Sequence, residues 1–600
     1  MKPQNVRRLK DLAILALVVV VCGVVVLKVH PVRWPVERFL RRIGIVPAPV
    51  RPGPTEKRPR ILPANRVSAR RQLVAALHRA YARRDFEEAA FLNAVLAQEA
   101  FQRAWRTQQA WRAVRDPETG LIPTYAGSKT SYWRAKDTAA DGFPFMLMAA
   151  LYLDRAAADV WLSALARERE ISGPMPRSIR FRPTRVVPQS PSGLIYGASE
   201  YAKDGLLAVS ERFGRGPWFD RLEEVSQALI EAAYVKTKFG KICAYDTEVN
   251  GEMLQVLCRL YWATRREAYL EMAERIGDAY FFEVLPENGW LPALVWDFPR
   301  GRVAEGAARI DDHGNEIIPG LVELYLLEKA LGRPKAEQYR EPLERCLDEV
   351  LDAGRDERGL WCRYAKGSGE GRRDVSDTWG YVSNAFVAFD VIEGGSKYAG
   401  EIERTMRAVS TLKSFPWEGR RQDGYADAIE SMLYLLPWFD VAECHRWVDD
   451  EIEVLFGMQF PSGFVDKHYL DGNFIRTALL YATYKTRGVL AEPWREDLCL
   501  GAAWDPQEEQ LYLYVGADEP WKGRLRFDVP RHRTIWRLPF NYPRLNATPE
   551  WFVVEPEAAY VIVGLGPQAE QEWTGKTMAE GVPVEITDLS QPVRLRVSRR

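Results

Sequence analysis

The sequence predicts a mainly α-helical protein in which six or seven αα-hairpins close into an (α/α) toroid or barrel. An N-terminal transmembrane anchor precedes the toroid, and a small, sandwich-like all-β domain follows it. Three observations support this: an apolar run near the start, a repeated turn-and-helix pattern over most of the chain, and a change to short alternating runs near residue 495. The predicted boundaries are 1–30 for the anchor, 31–67 for a tether, 68–492 for the toroid and 493–600 for the β domain.

The first segment combines a basic start with an uncharged apolar run from Leu12 to Leu27. That length is close to one membrane span once the flanks contribute. Because no A-x-A cleavage site follows, we expect a retained signal-anchor, a cytoplasmic N-terminus and an exported body, periplasmic or extracellular. Residues 46–64 are rich in proline and charge, which predicts a stiff tether between anchor and body.

A turn built around a glycine and an apolar residue recurs along the next 400 residues or so. Its copies are DPETGLIPTY (116–125), SPSGLIYG (190–197), ENGWLPAL (287–294), DERGLWCRY (356–364) and FPSGFVDKHY (460–469). Each copy is followed by a polar cluster and an apolar helical pattern, and charged amphipathic helices lie between them. Closing such hairpins into a ring buries every apolar helix and places all the inner-helix N-termini on one face.

This arrangement resembles the (α/α) toroid of the six-hairpin glycosidase superfamily followed by a small β-sandwich. The resemblance covers roughly residues 70–600 as architecture and includes no complete signature of any one family. It implies a carbohydrate-active enzyme whose site lies where the inner helices begin.

The starts of the predicted inner helices carry more acids than helix capping requires. One acid suffices as an N-cap or as a partner of the helix dipole, yet carboxylates recur four residues apart, on one helix face. The pairs are Asp137/Asp141, Glu200/Asp204, Glu248/Glu252, Asp312/Glu316 and Asp423/Asp427, with Glu430 one turn further on. The hairpins at Asp377 and Asp471 break the pattern, since Tyr381 and Ile475 occupy their second positions.

Converging carboxylates suit glycosidic bond cleavage, because one acid protonates the leaving oxygen while a carboxylate activates water or attacks the sugar. The candidate catalytic residues are Asp141, His313, Glu316, Asp377 and Asp427. The candidate substrate-binding residues, which include aromatic side chains for sugar stacking, are Trp133, Asp137, Glu248, Trp296, Asp312, Trp379, Asp423, Tyr425, Glu430 and His468. His313 is open to three interpretations: a general base, a partner of a sugar hydroxyl, or a feature of the helix cap.

The amino-acid composition limits the kinds of molecule that the protein is expected to bind. The chain has 82 basic and 82 acidic residues, a balance that argues against nucleic-acid binding. Its seven cysteines form no CxxC pair and its six histidines no HxH or HxxxH spacing, so we expect neither a metal nor another cofactor. The expected partners are an oligosaccharide or polysaccharide and, through the anchor, the membrane.

Two other functions stay open beside glycoside hydrolysis. A polysaccharide lyase acting on uronate-containing glycans would use the histidine and asparagine of DDHGNE (311–316), although a dense set of acids would repel its anionic substrate. A non-catalytic glycan-binding or envelope scaffold protein is the third possibility, because one fold hosts many functions. The segment WRLPFNYPRLNATPEWFVVEP (536–556) would either offer sugars an aromatic surface or dock on and cover the ring.

Overall fold

A computed structural model of the chain describes residues 66–127, 132–305, 308–366, 374–465, 469–565 and 570–600. The predicted anchor, Leu12 to Leu27, therefore lies outside the described residues. Of the helices within the described ranges, none combines the length and the apolar character that crossing a membrane requires.

The described chain is built mainly from helices. In chain order they are α1 (Arg66–Ala82), α2 (Phe86–Ala113), α3 (Phe143–Leu153), α4 (Arg155–Ser172), α5 (Pro191–Glu200), α6 (Ala208–Phe213), α7 (Pro217–Glu231), α8 (Thr247–Thr264), α9 (Glu267–Ala279), α10 (Ile317–Ala330), α11 (Lys335–Ala353), α12 (Trp379–Glu393), α13 (Ala399–Ser410), α14 (Gln422–Leu435), α15 (Ala442–Gly457), α16 (Asn473–Lys485) and α17 (Gly575–Glu580). Shorter helical elements are the π-helical segments Ala135–Gly142, Tyr201–Leu207 and Tyr280–Val284, and the turns Leu285–Glu287, Asp312–Asn315, Trp417–Gly419 and Arg531–Thr534.

Seven inner helices of the described chain form a closed ring. They are α3, the continuous pair α5 and α6, α8, α10, α12, α14 and α16; each contacts the next, and α16 contacts α3. The outer helices α2, α4, α7, α9, α11, α13 and α15 pack behind them. The predicted mainly helical fold of hairpins is thus confirmed, with seven hairpins in the described residues.

Helix composition explains which helices lie inside. In α10 every residue from Ile317 to Glu328 is buried, whereas α13 buries only Ile402, Thr405, Met406 and Val409, a stripe with helical spacing. Glycine brings the inner helices α8 and α10 together: a Cβ on Gly251 would lie 2.3 Å from the Glu316 carbonyl carbon. Apolar inner helices therefore fill the ring, and amphipathic outer helices separate it from water.

The strands form two groups. Those of the helical region are β1 (Tyr132–Trp133), β2 (Ile179–Arg180), β3 (Arg185–Val186), β4 (Val235–Thr237), β5 (Gly240–Ile242), β6 (Val295–Asp297) and β7 (Arg302–Glu305). Those after the last inner helix are β8 (Leu490–Glu492), β9 (Cys499–Asp505), β10 (Gln510–Gly516), β11 (Trp521–Arg526), β12 (Ala559–Val563), β13 (Glu570–Thr574), β14 (Val582–Ile586) and β15 (Val593–Arg599). The first group lies in connections that lead into the inner helices.

The second group makes two antiparallel sheets, ordered β13-β12-β15-β10-β9 and β14-β11-β8, that share one hydrophobic core. Strand β9 is buried on both faces because it also packs against α2. At that contact a Cβ on Gly501 would lie 2.1 Å from the backbone nitrogen of Ala94. The β sheets are therefore packed directly onto the helical ring.

The connection between β11 and β12 reaches across to the ring and covers one end of it. Arg544 donates from Nε and Nη2 to the two carboxylate oxygens of Glu211, at 3.0 and 3.1 Å. Arg259, in the last turns of α8, donates from Nη1 to the Leu545 carbonyl oxygen at 2.8 Å. Because these contacts lie toward the C-terminal ends of the inner helices, the segment closes the end opposite the acidic helix starts.

Candidate active site

Acids from five of the inner helices, or from the segments that lead into them, face one another across the ring. Burial raises the pKa of Asp141 well above its ordinary value, and the carboxylates of Asp204, Asp471 and Asp423 raise it further. These three acids come from the second, seventh and sixth hairpins, so their side chains approach Asp141 from different sides. We call this cluster the acidic pit; its members are Asp141, Glu200, Asp204, Glu248, Glu252, Asp423, Asp427 and Asp471.

Solvent reaches the upper part of the pit and not its base. The side chain of Asp204 is 20% exposed, whereas Glu252 is only 1% exposed and Glu430 is fully buried. In such a gradient the deeper charges interact strongly with one another, because little water screens them. The pit therefore offers a substrate a solvent-accessible entrance and a dry base lined by acids.

Asp141 and Asp204 lie in two π-helical segments, Ala135–Gly142 and Tyr201–Leu207, that pack against each other. Glycine permits this contact: a Cβ on Gly205 would lie 3.0 Å from the Ala139 carbonyl oxygen. π-Helical turns are rare and occur often at functional sites. Their π-helical backbone thus distinguishes Asp141 and Asp204 from the other acids of the pit.

The two carboxylates have opposite surroundings. Asp204 is ion-paired with the Lys203 ammonium at 2.8 Å, and Lys203 also donates to Glu316 at 2.7 Å. No described residue donates a hydrogen bond to the Asp141 carboxyl, whose pKa is raised by burial and by the neighbouring carboxylates. Asp141 is thus favoured in its protonated form beside an Asp204 that is ion-paired with a lysine, the arrangement of an acid and a base.

The opposite wall of the pit is organised by Arg476. Its Nη2 donates to Asp427 Oδ1 at 2.6 Å and also pairs with Glu430. The Tyr381 hydroxyl donates to the same two acids, at 3.2 and 3.3 Å. Burial and the Asp423 carboxylate nonetheless raise the pKa of Asp427, although Arg476 opposes the shift.

Glu252 is the most isolated acid at the base of the pit. Its Oε2 has no hydrogen-bond partner. Burial raises its pKa well above the usual range, and the carboxylates of Asp204, Glu248 and Glu200 add to the effect, while Lys203 opposes it. A buried carboxyl in these surroundings is neutral and can donate a hydrogen bond to a ligand.

Several predicted site residues are held by partners of their own. Asp377 accepts from Arg363 at 3.0 Å, Asp137 from Arg134 at 3.1 Å, and Glu248 from the Tyr196 hydroxyl at 3.1 Å. Asp423 accepts from the Asn473 amide. Glu316 accepts from Lys203 and, at 2.7 Å, from Gln255 Nε2. These contacts fix the positions of the acids around the pit.

The four predicted stacking residues lie within the core. Trp133, Trp379 and Tyr425 are fully buried, and Trp296 is 1% exposed. The Trp133 ring packs against Phe143 with centroids 5.6 Å apart. Because the connections fold over these rings, none of the four presents a face on which a sugar could stack. The side chains of Asp312 and His313, and His468 altogether, lie outside the described residues.

Other residues of the site were not among the selected candidates. Glu200, Asp204 and Glu252 belong to the acid pairs spaced by four, so the same pattern contained them. The sequence pointed less clearly to Lys203 and Arg476 as site residues. Each is a cation within an apolar helical run, YAKDGLLAV and NFIRTALLYA respectively. Cations at such positions are buried only with partners, which would have pointed to neighbouring acids.

Asp471 makes the site sensitive to pH, because burial and the Asp423 carboxylate raise its pKa to about 8. An unfolded chain loses this proton near pH 4, as an ordinary aspartate does at about 3.9. Between about pH 4 and 8 the folded protein holds a proton that the unfolded chain lacks, so this group's contribution to stability falls as pH rises.

The asparagine introduced by Asp471→Asn is neutral in both the folded and the unfolded protein, so this variant does not lose stability in that way as pH rises. We expect its stability relative to the unsubstituted protein to increase between about pH 4 and pH 8, by at most about 1.4 kcal/mol per pH unit. Melting temperatures of the two proteins across this range measure the difference. A difference that does not change with pH would contradict the prediction, and the exposed Asp159→Asn serves as the control.

Solved structures similar to this chain were found among sugar-processing proteins. An α-1,2-mannosidase from Trichoderma reesei matches with a TM-score of 0.44 and 12% identity, covering 68% of this chain and 97% of its own. An α-1,6-mannanase from Salegentibacter sp. HEL1_6 matches with 0.38 and 11%, covering 64% and 98%. An unsaturated glucuronyl hydrolase specific for heparin matches with 0.37 and 16%, covering 53% and 92%.

These structures are members of the six-hairpin glycosidase superfamily, to which the repeat pattern pointed. Identities of 11 to 16% limit the likeness to the fold. No protein-family model matches the chain, and no curated protein sequence matches it significantly. The chemistry of the site therefore has to be argued from its own residues.

Proposed function

We propose that the protein is a carbohydrate-active enzyme that hydrolyses glycosidic bonds in the acidic pit. The observation that carries this proposal is the pair Asp141 and Asp204. The two lie on adjacent packed π-helical segments; the pKa of Asp141 is raised by burial and by neighbouring carboxylates, and Asp204 is ion-paired with a lysine. Glycoside hydrolysis requires such a pair: an acid that gives a proton and a charged carboxylate.

In the proposed reaction Asp141 donates its proton to the glycosidic oxygen as the bond to the anomeric carbon breaks. Asp204 either takes a proton from the attacking water or attacks the anomeric carbon and is released by water in a second step. Both routes consume one water. In the first, the proton that Asp204 takes from water returns to Asp141 through solvent; in the second, Asp141 recovers its proton from the water that releases the sugar. Lys203 holds Asp204 in place through its ion pair, and Arg476 holds Asp427.

The charges of the pit favour a neutral or amine-bearing glycan. Three of the cations around it each pair with two carboxylates: Lys203 with Asp204 and Glu316, Arg476 with Asp427 and Glu430, and Arg363 with Asp311 and Asp377. None of these three is free to neutralise a uronate.

We also propose that the enzyme is tethered to a membrane and acts in an exported compartment, on the strength of the apolar run from Leu12 to Leu27. Cell fractionation followed by an alkaline carbonate wash tests this. The full chain is expected to stay with the membranes, and a chain without its first 45 residues is expected to leave them. Release of the full chain by the wash would contradict the tether.

Product masses test the reaction. The full chain is incubated with neutral, amine-bearing and uronate-containing oligosaccharides of several linkages, and the products are analysed by mass spectrometry. We expect fragments whose masses sum to the substrate plus one water. The same incubation with Asp204→Asn is expected to give none, whereas Asp159→Asn, on an outer helix, is expected to behave as the unsubstituted protein.

Two outcomes would replace the proposal. Fragments summing to the substrate mass, one of them unsaturated, would identify a lyase and turn attention to His313. Binding without any fragments would favour a glycan-binding or scaffold role. Proton NMR of the first product then assigns the route, because direct attack of water inverts the anomeric configuration and a covalent intermediate retains it.

A further inference from the structure

A residue from the β domain reaches the proposed catalytic pair. Asn546 lies in the connection between β11 and β12, and its Nδ2 donates to Asp204 Oδ1 at 3.1 Å. The same Nδ2 donates to the Lys203 carbonyl oxygen at 2.9 Å. Because both partners can only accept, the orientation of the amide is fixed by chemistry: its nitrogen faces Asp204.

The backbone of Asn546 is held in an uncommon conformation. Its φ of 60° is left-handed, a region that asparagine tolerates better than most residues, and the residue is only 6% exposed. Such conformations persist where the surroundings over-determine them. The tight turn at Asn546 therefore places the amide group under Asp204 and keeps it there.

Ion pairs and hydrogen bonds clamp the segment on both sides of Asn546. Arg544, two residues before it, is paired with the fully buried Glu211. Arg259 binds the carbonyl oxygen of Leu545 at 2.8 Å, and Arg531 Nη2 binds that of Thr548 at 2.7 Å. With its neighbours fixed in this way, the Asn546 side chain has little freedom to leave Asp204.

We propose that Asn546 is a positioning residue for the reaction, so that the β domain completes the active site from the closed end of the ring. This inference rests on the proposed function of Asp204. Lys203 and Asn546 donate to the same carboxylate oxygen, Oδ1, from two directions. The second oxygen, Oδ2, is then left to face the reacting sugar or water.

Asn546→Gly is the cleanest test, because glycine accepts a φ of 60° without strain and removes only the amide. We expect kcat to fall about 10- to 100-fold with KM changed much less, as is typical when a residue behind a catalytic group is removed.

Asn541→Ala is the matched control. Asn541 lies in the same segment and accepts from Arg544 Nη1 at 2.8 Å, but the contacts of its side chain lie away from the pit. If Asn546 only stabilises the segment, the two variants will have similar kcat and KM values. That result would overturn the inference.

The experiment separates the inference from the proposed function. Loss of activity in Asp204→Asn with normal activity in Asn546→Gly overturns the inference alone. Normal activity in Asp204→Asn overturns both.

Discussion

Asp141→Asn is expected to lower kcat/KM of the proposed glycan hydrolysis by about 1,000-fold. General acid catalysis contributes factors of about 10² to 10⁴, and this acid is the only carboxyl in the proposed pair that carries a proton to give. Asparagine has the shape and neutrality of the protonated side chain, so the packing of the π-helical segment around Asp141 is retained. The measurement is steady-state kinetics of the purified full chain, with circular dichroism to verify the fold.

Two comparisons make this prediction specific. A nitrophenyl glycoside, whose leaving group departs without protonation, should be affected far less by Asp141→Asn than the natural linkage. The alkaline limb of the pH profile, which arises when Asp141 loses its proton, should disappear in the variant. A loss of less than about tenfold on both substrate types would exclude Asp141 as the proton donor, and Asp159→Asn controls for the removal of a carboxylate elsewhere.

Glu211→Gln is expected to lower the free energy of unfolding by about 3–5 kcal/mol, the typical result of removing one partner from a buried ion pair. Glu211 is fully buried and accepts from Arg259 Nη1 at 3.2 Å and from both Nε and Nη2 of Arg544. Glutamine keeps the shape but leaves a positive charge without compensation, since Glu323 balances only one of the two guanidinium groups. Urea denaturation followed by circular dichroism measures the change.

The control for this prediction is an ion pair at the surface. Glu403 pairs with Arg407 on α13, and their side chains are 40% and 50% exposed. Exposed pairs contribute roughly 0–1 kcal/mol, so Glu403→Gln should unfold at nearly the same urea concentration as the unsubstituted protein. Similar shifts for the two variants would show that the interior charges around Glu211 are better hydrated than their burial indicates.

The sequence predicted the ring well because local patterns determine it. The alternation of wholly apolar helices such as α10 with amphipathic helices such as α13 distinguishes inner from outer helices without knowledge of any distant contact. The spacing of four between acids likewise predicted which helix face would carry them. Both signals depend on helical periodicity, which is a property of neighbouring residues.

The partners within the pit could not be predicted, because they are joined by long-range contacts. Lys203 and Glu316 lie 113 positions apart, and Asn546 and Asp204 lie 342 positions apart. Periodicity shows that two side chains face inward but not which of them meet. The same limit applies to Trp133 and Trp296: sequence places them near helix starts, while the folding of the connections decides whether their rings face solvent or core.

The closure of the ring between its first and last hairpins determines when the site can exist during synthesis. Helix α16 contacts α3, Arg476 of the last hairpin faces Asp141, and Asn546 follows still later in the chain. A ribosome that has finished six hairpins has made most of the acids but neither of these two partners. The pit assembles only as the final fifth of the chain arrives, so that incomplete chains lack the assembled pit.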